Sequence, residues 1–219
     1  MLDLVPVLEF LPSGYDKLNR TQPAGSPAEN QESWNSYWID CLADSGIVGL
    51  TQLEHSWLVP IEEITSTNVI KKYLANEIGE SLADGYDPEL IGTLCGGFAL
   101  RSGGETIVWP GCCSDLADIK EWKTAAEYEK DEWVSIWIGH PLISVRRNAE
   151  RLIISESHEP GEKPERDCYS IDPEELLLAI SKAEVQIVRF RERIQPILTE
   201  FLSPELAEEA ARILVEGYI

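Results

Sequence analysis

The chain has 219 residues and carries 39 Asp or Glu against 18 Lys or Arg, a formal charge of −21 at pH 7. A length of this order fits one large domain or two small ones, and 43 % apolar residues with seven Trp supply a core and argue against disorder. The charge argues against direct binding to nucleic acid or to an anionic membrane surface, which need Lys/Arg neutralisation, and no apolar run approaches the ~20 residues that span a bilayer.

The acid surplus is spread along the chain: −6 over residues 1–60, −8 over 61–156 and −7 over 157–219. It is the character of a whole surface rather than of a tail, which serves solubility and attracts a basic protein partner. Asp3 and Glu9 interrupt the first apolar stretch and no basic segment precedes it, so no signal peptide is expected. Five sparse cysteines, an odd number, suit a reduced cytoplasmic protein better than a disulfide scaffold. No C-x-x-C occurs and the histidines, His55, His140 and His158, are isolated, so neither a metal site nor another cofactor is expected.

In chain order, Leu2 to Leu11 reads as a strand, with Pro6 demoting it to an edge or a bend. Residues 13–33, rich in Pro, Gly, Asn and Gln, read as a long irregular loop. Trp34, Tyr37, Trp38, Cys41 and Leu42 recur at helical spacing, and Gly46 ends that helix. Ile47 to Val59 reads as a strand, and Thr67 to Ile78 as a helix buried through Ile70, Tyr73, Leu74 and Ile78. Asp87-Pro88-Glu89 opens a short helical turn that Gly92 cuts off.

Phe98–Arg101 and Glu105–Trp109 flank Ser102-Gly103-Gly104 as a hairpin. Ser114 is the expected cap of a helix whose apolar side is Leu116, Ile119 and Trp122. Glu132 to His140 (EWVSIWIGH) carries apolar groups on both faces and reads as a central, doubly covered strand. A further hairpin joins Leu142–Val145 to Arg151–Ile154, followed by a polar loop over 156–167 with His158 in solvent.

Asp172-Pro173-Glu174-Glu175 is a capping-box-like helix start. From it Leu176, Ile180, Ala183, Ile187, Phe190, Ile194, Ile197 and Phe201 step alternately by 4 and 3, a 3.5-residue seam. Ser203-Pro204-Glu205 restarts a last helix, so residues 172–217 form a helical hairpin packed on the sheet, or alternatively a homodimer contact.

The stretch with most chemical content is Pro110-Gly-Cys-Cys-Ser-Asp115. Two thiols just before a helix sit where unsatisfied N–H groups lower a thiol pKa. With His140 as base, Asp115 or Asp118 to orient it and Arg101 to hold an anion, Cys112 or Cys113 becomes a candidate nucleophile for acyl transfer or hydrolysis. The competing reading is that these thiols are small hydrophobes and His140 a satisfied turn residue before Pro141.

PGCCSDL and WIGHP together have the look of motifs shared within a bacterial family. A small acidic α+β domain with a Trp-rich core is similar in general character to bacterial toxin-immunity proteins, and that resemblance implies binding of a basic protein. The expectation is a single α+β domain over 1–219, with a mixed or antiparallel sheet of about five to seven strands, packed helices and the C-terminal helical hairpin. Its expected function is non-catalytic protein binding; the alternative is the cysteine-dependent enzyme.

Overall fold

The computed structural model describes residues 1–83 and 86–218. It has α+β architecture with two four-stranded antiparallel sheets, in place of the one sheet of five to seven strands read from the sequence. The first sheet has the order β2-β1-β3-β4, from β1 (Leu2–Glu9), β2 (Leu58–Pro60), β3 (Gly96–Ser102) and β4 (Glu105–Val108). The second runs β5-β6-β7-β8, from β5 (Val134–Ile136), β6 (Ile143–Asn148), β7 (Arg151–Ser155) and β8 (Asp167–Ile171).

The helices are α1 (Pro12–Tyr15), α2 (Gln31–Asp44), α3 (Thr67–Ala83), α4 (Ile119–Glu127), α5 (Pro173–Leu198) and α6 (Pro204–Glu216). One buried cluster runs from Leu4 and Phe10 through Trp38, Trp122 and Val145 to Phe190 and Leu214, so both sheets share a core.

Pro6 lies in an internal strand, not at an edge, and the ladder shows why. The Pro6 carbonyl accepts from Ile61 N–H at 3.1 Å, on the side facing away from β3. A strand residue's N–H and C=O point the same way, so the donor that proline lacks is missing from that side, where β2 has already ended. Pairing with β3 from Leu2↔Ser102 to Leu8↔Gly96 runs uninterrupted. The β3–β4 turn uses Gly103 (φ 62°) and Gly104 (φ 96°), the left-handed pair that a two-residue hairpin loop asks for.

The C-terminal seam is used within the chain. Leu176, Ile180, Ala183, Ile187, Phe190, Ile194 and Ile197 are all buried, and α5 packs on β1, α3, α4 and α6. Phe201, the last expected seam residue, lies past the helix and is exposed. The face that α5 leaves outward is a different one, with Leu177, Leu178, Val185 and Val188. Asp172 caps α5 through Glu174 N–H at 2.8 Å, and Ser203 caps α6 through Leu206 N–H at 3.4 Å.

Three local expectations are corrected. Ile47–Val59 is irregular except for β2, because Gly49, Gln52, Glu54 and His55 break any two-residue alternation. The loop over 13–33 contains the short helix α1 at its start and the first turn of α2 at its end. The EWVSIWIGH segment is an edge strand of three residues. Its second apolar face is open: Trp137 is exposed, and Trp133 lies half-buried under the Arg146 guanidinium, 5.0 Å from the ring centroid. The stretch between the polar loop and the C-terminal helix, for which the sequence offered no reading, forms β8; it takes only Asp167 from the loop, and four of its five residues are exposed.

Candidate functional site

Between the sheets the chain runs from β4 through Trp109, Pro110 and Gly111 to the two thiols. This segment is pinned to the turn after β5. Gly111 N–H donates to Ile138 C=O at 2.7 Å, and Cys112 and His140 exchange both backbone hydrogen bonds at 2.9 Å. The crossing demands glycine on both sides. A Cβ on Gly111 would stand 2.5 Å from the His140 carbonyl oxygen, and one on Gly139 (φ 88°) would strike the Cys112 carbonyl.

The sequence pairing of Cys112 with His140 is therefore realised in the backbone. Directly opposed residues of an antiparallel bridge hold their Cβ atoms about 4.5–5.5 Å apart on one side. The imidazole of His140 packs edge-on against Trp137, ring centroids 5.1 Å apart. Among the described residues, the histidine ring hydrogen bonds are those of His158, and none joins His140 to a thiol.

The expected activation is absent from the surroundings. Asp115, not Ser114, caps the helical segment: its side chain accepts from Ala117 N–H at 2.7 Å, and Asp118 reaches back to Asp115 N–H at 3.0 Å. Two carboxylates thus occupy the donors that were to stabilise a thiolate, and they add negative charge of their own. Ser114 is buried and donates to the Gly96 carbonyl instead. The neighbouring Cys112 thiol, then burial and Glu9, push Cys113 upward. Burial raises Asp115, and it pushes Asp118 up to about 7. Arg101 donates to the Gly104 carbonyl at the hairpin tip, away from the thiols' groove. Cys112 and Cys113 are both exposed rather than buried as small hydrophobes, and all five cysteines are free.

A groove of about 330 Å³ opens beside Cys112, within the size range of small-molecule sites. Trp57 and Trp109 line it, with Glu9 at the end of β1, His55, Pro27 and Pro110. Burial, then the charge of Glu77, raises the Glu9 carboxyl. Among the described residues its side chain has no hydrogen bond and no ion pair.

A second polar cluster escaped the sequence reading. His158 is 6 % exposed, not solvated: Nε2 meets Ser144 Oγ at 2.8 Å and Nδ1 meets the Glu159 carbonyl at 3.1 Å. Ser135 Oγ lies 3.0 Å from Ser144 Oγ, and Ser155 Oγ accepts from Ser144 N–H at 2.9 Å. Ser144 is only 1 % exposed, so this serine–histidine contact is closed to a substrate and ties the 156–158 segment to β6. The signal available in sequence was one serine in each of β5, β6 and β7, which only the pairing register brings into contact.

Among the described residues no group of three or more His, Cys, Asp or Glu side chains is placed to hold a metal ion, and no helix is long and apolar enough to cross a membrane. No protein-family model, no curated protein and no solved structure matches the chain.

Proposed function

We propose that this protein is a non-catalytic acidic module that binds a basic protein, in the manner of the bacterial toxin-immunity proteins it resembles in general character. The observation that supports this most is how the cations are spent. Arg20 bridges Asp40 and Asp44, Arg146 bridges Asp131 and Asp167, and Arg191, Lys71 and Lys123 each hold a glutamate. Arg147 and Arg193 turn inward to backbone carbonyls. Most of the 18 basic side chains are engaged in this way, and because the chain holds 39 acids the exposed carboxylates of the described residues far outnumber the cations that could offset them. Such a field accelerates encounter with a cationic protein and penalises acidic competitors.

The test is affinity capture from the source organism's lysate at low and at high salt, with identification of what is retained. A basic protein held at low salt and released at high salt supports the reading. Retention that is indifferent to salt, or a retained set no more basic than the lysate, refutes it.

A second reading has one observation in its favour: the exposed Cys112 stands opposite His140 and lines a groove. Alkylation kinetics at neutral pH decide it. A thiol reacting no faster than a free cysteine removes the enzyme reading; a much faster one revives it.

A further inference from the structure

We infer that the groove between Trp57 and Trp109 is the seat of a lysine or arginine side chain of the basic partner, its charge paired with Glu9 and its stem lying against the indoles. This rests on the binding-module reading and adds the place where recognition is concentrated.

Three observations converge on that occupant. The groove is bounded by two indoles and two prolines, surfaces that receive an aliphatic stem or a guanidinium plane. Glu9 lines it half-buried and, among the described residues, without an in-chain cation, whereas most of the other carboxylates without a cation lie on the open surface. The surrounding charge is acidic, with Glu77 and Asp115 acting electrostatically on groups at the same end of β1. A neutral apolar group would fill the indole walls and leave a half-buried carboxylate unpaired; an anion would be repelled by it. A cationic side chain satisfies both. Trp109, 38 % exposed, remains accessible from solvent.

The probe is a synthetic oligolysine peptide, followed by calorimetry and by the indole N–H resonances of Trp57 and Trp109 at low salt. Wild-type protein should bind it and shift both resonances. Glu9→Gln should weaken binding roughly 10-fold, while Glu208→Gln, at an exposed position on α6, should change it less than about 2-fold. Glu9→Gln removes a carboxylate whose ionisation burial opposes, so it should fold at least as well as wild type, which thermal melting checks. If Glu9→Gln is compromised in folding, Trp109→Phe tests the same wall and should leave the Trp57 shift smaller.

Binding that persists unchanged in Glu9→Gln, with neither indole resonance moving, overturns the groove assignment and leaves the acidic-module reading standing. Absence of any oligolysine binding at low salt overturns both.

Discussion

Lowering the pH from about 7 to about 5 should stabilise this protein, and Asp118 supplies the largest single reason. Its side chain is 8 % exposed, accepts one hydrogen bond, from Asp115 N–H, and titrates at about 7 because of burial. In the unfolded chain it titrates near the ordinary aspartate value of about 3.9. The folded state therefore holds the proton more tightly. The stability tied to it is complete below the unfolded value and is lost as pH rises through the folded one. These two values give a loss of roughly 2 kcal/mol between pH 5 and pH 7.

Glu9, Glu77 and Asp115 are also raised, burial first in each case, and act in the same direction. Asp44, lowered by the hydrogen bond from Arg20, and Glu29, Glu156 and Glu205, lowered by their own hydrogen bonds, oppose it only on the more acid side. A maximum near pH 5 follows. Urea denaturation of wild type and Asp118→Asn at pH 5, 6, 7 and 8 measures it. Asparagine keeps the acceptor for Asp115 N–H and removes the titration. The variant should thus lose about 2 kcal/mol less than wild type between pH 5 and pH 7, and be the more stable of the two at pH 8. Equal slopes in the two proteins, or stability that rises with pH, would refute the reasoning.

Gly139→Ala should destabilise by at least about 2 kcal/mol, from left-handed backbone strain plus collision with the Cys112 carbonyl, and chemical denaturation reads it; a change under ~0.5 kcal/mol would mean that the two segments do not cross as closely as described. Phe190→Ala, at the centre of the α5 seam, should cost about 3–5 kcal/mol by the same assay, whereas Val188→Ala on the exposed face should cost far less. Cys113 should alkylate more slowly at pH 7 than a free cysteine, because its neighbours hold the thiol protonated; mass spectrometry of a time course would show it.

The helical hairpin was the most legible part of the sequence, since a 3.5-residue seam and two Pro-bearing caps each constrain the chain locally. Hairpins β3–β4 and β6–β7 were legible for the same reason: their turns sit between short apolar runs. The split into two sheets was not, because nothing in Trp109–Cys113 announces a crossing that only the Gly111–Gly139 contact makes possible. The strand at 134–136 misled because tryptophans at Trp133 and Trp137 mimic burial while lying on the surface under Arg146 and beside His140. β8 was invisible because an exposed edge strand needs no hydrophobic alternation.

At the candidate site, the proximity of Cys112 to His140 was readable from segment ends. The electrostatics were not, since Asp115 and Asp118 serve as the cap rather than as an orienting acid. Glu9 looked like one acid among 39, and only the fold reveals it lining an indole-walled groove with no cation beside it among the described residues.

The ionic-strength dependence of association with a basic protein recovered by low-salt capture tests the central claim most directly. Sedimentation velocity of the mixture should show a discrete complex at low salt that dissociates progressively as salt is raised. A complex equally tight at low and high salt, or one formed with proteins that carry no positive surplus, would contradict it.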